Sequence, residues 1–290
     1  MIFLLLSILS STFIYLTFKL LDKKNVNTLY AIVVNYYSAT VFGYITLSNE
    51  FSVAEFLVKP WFGGATILGI LYITTFVLIG ITAQRHGLSV VSVAQRMSLV
   101  IPIAFIILYY NEPTGILKFL GILLALVAVY LVSSKNKELN VSEHNLFLPF
   151  VLFIGSGVTE TLIKYLEENS LAENDIALFS MSIFLFAGII GTVVGLYQYI
   201  VKRVRFTYKE IIGGLLLGIP NYFSVYFFVS ALKSDLGSTV VFTLNNVSIV
   251  VVATLLGISF FGEKLLRKNW IGIILAIISI ILIAITTNQM

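Results

Sequence analysis

The sequence has no cysteine, only two histidines and five prolines, and charged residues make up just 11% of its 290 positions. Without cysteine there is no disulfide, no thiolate metal site and no cysteine nucleophile. His86 and His144 fall in different predicted loops without metal-ligand spacing, and no phosphate-binding glycine loop occurs. No constellation of residues supports catalysis, a cofactor or a metal. A soluble domain carries roughly 25% charged residues because its surface is wet, so a soluble enzyme of this length is excluded. A membrane β-barrel is excluded as well, since runs such as Ile271 to Ile285 do not alternate between apolar and polar residues. The amino terminus has no basic stretch and no small-x-small cleavage site before Lys19, so Met1 to Leu21 is expected to be a first membrane helix rather than a signal peptide.

What is abundant is apolar: 59% of the residues are hydrophobic, and the mean hydropathy is +1.01. A membrane helix takes about 20 apolar residues, so ten take about 200 and leave about ten residues for each connection. Apolar stretches fall at roughly 2–20, 29–48, 62–83, 88–110, 115–134, 146–166, 176–200, 211–232, 237–260 and 270–287. The predicted fold is an all-α integral membrane protein with ten transmembrane helices. Its surroundings are the lipid bilayer, most naturally the plasma membrane of a bacterium, and it is expected to act as a monomer or homodimer. The net charge of +4 comes from loop Lys and Arg and reports orientation, not nucleic-acid binding.

The chain also repeats itself. Gly121 to Ala125 (Gly-Ile-Leu-Leu-Ala) recurs as Gly272 to Ala276, and Glu112 recurs as Glu263, both 151 residues later. Gly87 to Val91 matches Gly237 to Val241 at an offset of 150, and Leu68-Gly-Ile70 matches Leu217-Gly-Ile219 at 149. Lys19 to Asp22 matches Lys164 to Glu167 at 145. Four matches in one order predict two related halves, 1–138 and 139–290, of five helices each. Five is odd, so the second half enters the membrane from the opposite side. Two inverted repeats around a central cavity are a mechanical basis for alternating access, which makes transport the leading function.

These features resemble a known family. The two sets of five helices, the short turn before helix 4, Pro102 midway along it, Tyr110-Asn111-Glu112 with its twin Phe261-Gly262-Glu263-Lys264, and the glycine run nine residues on are similar to the drug/metabolite transporter superfamily, EamA type. The resemblance implies transport of a small metabolite. Helix 9 carries Ala253 or Thr254 where helix 4 has its proline, and helix 1 lacks the acidic residue of small multidrug exporters.

Polar residues at membrane depth are the candidate site. Arg96 lies about 12 Å along helix 4 at 1.5 Å per residue, and a charge near the bilayer centre costs about 2.5–3.5 kcal/mol on insertion scales. Ser89, Ser92, Gln95 and Arg96 fall on one face of that helix. Gln95 and Arg96 map onto Asn245 and Asn246 at the offset of 150, which predicts that helices 4 and 9 line one cavity. Asn35, Tyr36, Tyr72, Asn221 and Tyr222 are further candidates to line it. Glu160 is an acid well inside a helix; it is read as a proton-coupling carboxylate, as half of an i, i+4 pair with Lys164, or as a salt-bridge partner of Arg96. Lys19 and Lys164 are expected to snorkel to the interface. Trp61, Tyr109, Tyr110, Tyr165, Tyr197, Tyr199 and Trp270 are expected to form interfacial belts. Glu112 and Glu263 are read as capping the helices that follow them.

The expected solute is small and polar, amino-acid-like or another carboxylate-bearing compound, with Arg96 on its anionic group. Alternatives are export of cationic or lipophilic drugs through Glu160, and a non-transporting scaffold or lipid-carrier flippase subunit. Thirteen Lys and Arg fall in odd-numbered loops against four in even-numbered ones, which places both termini outside, whereas the family resemblance implies inside.

Overall fold

The computed structural model describes residues 1–23, 26–47, 52–86, 88–133, 147–201, 203, 206–261 and 266–287. These residues form helices and no strand. In chain order they are α1 (Ile2–Lys23), α2 (Thr28–Ile45), the short α3 (Val53–Leu57), α4 (Phe62–His86), α5 (Leu88–Met97), α6 (Val100–Tyr109) and α7 (Ile116–Ser133). Then follow α8 (Phe147–Asn169), α9 (Ile176–Ile200), α10 (Tyr208–Leu232), α11 (Ser238–Phe261) and α12 (Arg267–Thr287). Among the described residues, five helices are long and apolar enough to cross a membrane, and three shorter apolar stretches accompany them. Large apolar side chains such as Leu108, Val193 and Ile274 point outward, as suits a lipid surrounding.

One predicted helix is divided. The stretch expected to run unbroken from 88 to 110 is α5 and α6, separated at Ser98 and Leu99. Proline has no N–H, so Pro102 cannot bond back to the carbonyl of Ser98. That carbonyl instead accepts from the Ile101 N–H at 2.9 Å, and Leu99 N–H bonds the Arg96 carbonyl three residues back at 3.4 Å. Pro102 therefore sits in the first turn of α6, where no intrahelical donor is required. Pro220 lies inside α10, which stays continuous.

The helices gather into two compact units that cut across the sequence halves. The first comprises Thr75–Thr161 and Ser234–Met290 with Met1, and the second comprises Ile2–Thr74 and Leu162–Lys233. In the first, α7, α11 and α12 share a core of Ala125, Ala128, Val129, Val247, Val250, Ile273 and Ala276. Glycines let α7 and α12 approach closely: Gly121 lies under Ile283, and Gly272 lies against Leu131 and Val132. Gly272 and Ile283 stand 151 positions after Gly121 and Val132, so each contact is the image of the other under the sequence offset.

The second unit behaves the same way. Gly43 of α2 meets Met181 of α9, while Gly188 of α9 meets Tyr36 of α2, and both relations carry the offset of 145. Gly64 packs under Leu166, and its counterpart Gly213 packs under Leu21. These contacts come in pairs related by the sequence offset.

Several side chains depart from the sequence expectation. Glu112 does not cap the helix that follows it. Its carboxylate accepts from the Thr239 N–H at 3.1 Å, at the start of α11, and from Lys118 Nζ at 2.7 Å. Lys118 also donates to the Pro113 carbonyl and is only 1% exposed, which is tolerable because its charge is paired. Lys164 does not snorkel: it is buried and donates to Glu167 and Glu168, each at 2.6 Å, and Lys233 lies 3.5 Å from Glu167. Trp61 is no interfacial belt residue either. It is fully buried, and its Nε1 donates to Asp175, which also pairs with Lys59. Glu263 and the side chain of Lys19 lie outside the described residues.

Candidate functional site

The first unit holds Gln95, Arg96, Glu160, Asn245 and Asn246. Val91 and Ala94 of α5 bury against Leu152 of α8, beside Leu78 and Ile79 of α4. Arg96 lies in the last turn of α5, where the unpaired carbonyls of a helix end favour a cation. The helix stops just beyond it because Ser98 Oγ folds back on the Gln95 carbonyl at 2.6 Å and Pro102 lies ahead.

Arg96 Nη1 donates to Asn246 Oδ1 at 3.1 Å, and Asn246 Nδ2 donates to the Phe242 carbonyl one turn earlier in α11. Asn246 therefore spends its amide as a bridge, anchored to its own helix and offering an acceptor to the guanidinium. Asn245 and Asn246 are buried, while Gln95 and Arg96 are half-buried. The side chain of Ser92 lies outside the described residues.

Glu160 is on α8 in the same unit. Gly157, one turn before it, packs directly on Ile101 of α6, so α8 runs tight beside the break in the α5–α6 pair. The charges of Arg96 and Glu160 act on each other. Lys164 is taken by Glu167 and Glu168 at the end of α8, not by Glu160. The Oε2 atom of Glu160 is buried without a hydrogen-bond partner among the described residues, and so is Ser156 Oγ one turn earlier. Sequence reading passed over Ser156; the Gly-Ser-Gly run at 155–157 was the available signal, because small residues mark close helix approach.

The second unit holds the remaining candidates. Asn221 Nδ2 donates to Asn35 Oδ1 at 3.1 Å, and Asn35 is 3% exposed. Gly218 permits this approach by packing against Asn35 and Ser38. Tyr72 lies edge-on to Phe184, with ring centres 6.0 Å apart, and Phe184 stacks on Tyr36. Tyr222 shares a hydrogen bond with Thr46 at 2.6 Å. The structure thus brings Arg96 together with Asn246 in one unit and Asn35 together with Asn221 in the other. No group of His, Cys, Asp and Glu able to hold a metal occurs among the described residues.

Known proteins resemble this chain along nearly its whole length. An uncharacterized protein of Haemophilus influenzae (strain ATCC 51907 / DSM 11121 / KW20 / Rd) is 28% identical over 287 residues, covering 96% of this chain and 95% of the relative. A solved crystal structure superposes with a TM-score of 0.78 at 11% identity, covering 99% of this chain and 97% of that one, so the fold is shared. Residues 105–290 match the family described as sugar transport protein. With its apolar helices, the chain is thus a multi-pass membrane protein, and it belongs to the sugar transport protein family, a family of DMT-like membrane transporters.

Proposed function

We propose that the protein is a secondary transporter that carries a small hydroxylated carboxylate across the membrane by alternating access of two inverted five-helix repeats spanning it ten times. The observation that carries this reading is the Arg96 guanidinium, held at 3.1 Å by Asn246 inside an apolar helical unit. A cation at such depth is costly unless it meets a partner or a solute, and its planar fork matches a carboxylate. Gln95 precedes Arg96 and Asn245 precedes Asn246 in sequence, and their amides suit hydroxyl groups. Glu160, with its orphaned carboxylate oxygen, is the proposed proton carrier. The reciprocal glycine contacts at offsets of 151 and 145 support the inverted repeat. The mechanism is binding and conformational exchange, without covalent chemistry, and the plasma membrane of a bacterium is the proposed location.

The test is uptake of radiolabelled gluconate into proteoliposomes. Arg96→Gln is expected to lower uptake at least about 30-fold, since truncating one member of a buried charge pair costs about 2–5 kcal/mol. Unchanged flux would remove the anion reading. Glu160→Gln is expected to leave flux indifferent to an imposed pH gradient that drives the wild type. A second reading, transport of a neutral sugar, is favoured by the family itself and by the uncharged Asn35–Asn221 pair. Glucose uptake that survives Arg96→Gln would select it.

A further inference from the structure

The bond between Arg96 and Asn246 carries positional information. The two residues are each other's counterparts at the repeat offset of 150. In an arrangement with two-fold symmetry, a residue touches its own image only on the axis, whereas off the axis it touches the image of a different residue. The α7–α12 contacts are of the second kind: Gly121 meets Ile283 and Gly272 meets Val132, exchanged in pairs by the offset of 151. Arg96 and Asn246 are of the first kind. They mark where the pseudo-two-fold axis of this unit passes between α5 and α11.

We propose that Arg96 and Asn246 form a single binding position on that axis, where one anionic group of the solute is held and to which either helix can supply the guanidinium. This rests on the reading of Arg96 as an anion-binding residue and adds where the anion sits and how many are held. Two arginines at an axial contact would repel each other, and two asparagines would bring no charge. One of each gives one cation, steadied by the amide opposite. A position on the axis keeps the same relation to both helices when they exchange roles, so one site serves both access states.

The experiment measures binding of radiolabelled gluconate to the full-length protein in lipid nanodiscs. Arg96→Asn is expected to weaken binding about 30-fold or more, because it removes the guanidinium that faces the anion. Adding Asn246→Arg to Arg96→Asn returns the guanidinium from the other helix, and binding should recover to within about tenfold of wild type. Asn246→Asp changes one isosteric group and keeps Arg96; its carboxylate would occupy the guanidinium and weaken gluconate binding at least about tenfold. This variant decides the matter if the exchanged protein does not fold. Loss of binding in Arg96→Asn, with no effect of Asn246→Asp or no recovery in a folded exchange variant, overturns the axial position and leaves the anion reading standing. Unchanged binding in Arg96→Asn, or a wild type that binds neither gluconate, glucuronate nor lactate, overturns both.

Discussion

Two helix pairs of the same unit differ in how closely the residues related by the sequence offset resemble each other. In the α7–α12 pair, the Gly121–Ile283 contact has its image at the sequence offset in Gly272–Val132. In the pair made by α5–α6 and α11, the counterparts differ. One partner is broken at Ser98 and Leu99 and the other is continuous; one offers an arginine and the other an asparagine. Close packing tolerates little variation, because a glycine seam admits no extra atom without displacing a neighbour. A binding position has the opposite need, since two identical charges facing each other would be repulsive. The unit is thus near-symmetric where it packs and asymmetric where it is charged.

The largest test of this contrast lies at the start of α11, which Glu112 caps from the preceding half. Glu112→Ala removes the carboxylate from Lys118, which is 1% exposed, and uncaps α11. The expected cost is about 3–5 kcal/mol in denaturant unfolding, and Lys118→Met in the same protein should recover most of it by removing the stranded charge. A loss no larger than that of a surface pair would show that the cap does not hold α11.

The glycine seam gives a smaller, graded effect. A methyl at Gly272 meets the backbone nitrogen of Val132, whereas one at Gly121 meets chiefly a side-chain carbon of Ile283. Gly272→Ala is expected to destabilise by about 1–3 kcal/mol and Gly121→Ala by less, because a side chain yields more readily than backbone. Equal losses would mean that the seam is symmetric in energy as well as in sequence. The smallest effect is expected at the break. Pro102 stands where α6 needs no donor, so Pro102→Ala should change the melting free energy by less than about 1 kcal/mol. A larger gain in stability would show that the proline ring strains α6 and does not fit its first turn.

Much of this was legible before any coordinates. Apolar runs bounded by charges locate helices because a bilayer allows little else, and helix is found along each predicted stretch. The offset of 150 made Asn246 the counterpart of Arg96; that the two are hydrogen-bonded to each other is a finding of the structure. The division at Ser98 was not legible, since a mid-helix proline usually kinks a helix without ending it, as Pro220 illustrates in α10. Lys164 and Trp61 were misplaced for a common reason. Each looked like a residue near a helix end, where water or headgroups are available, and each is buried beside acidic partners, a turn away for Lys164 and distant in sequence for Trp61.

The sequence by itself determined that this protein lives in a membrane and where its helices lie, and it supplied the offsets at which its short motifs recur. These follow from composition and periodicity, which act locally along the chain. Only the tertiary structure decided that Glu112 caps a helix of the other half, that α5 stops one residue after Arg96, and that Arg96 meets its own counterpart. Those facts depend on which helix faces lie within a few ångströms of each other, and distance between faces is a property of packing that no single helix encodes.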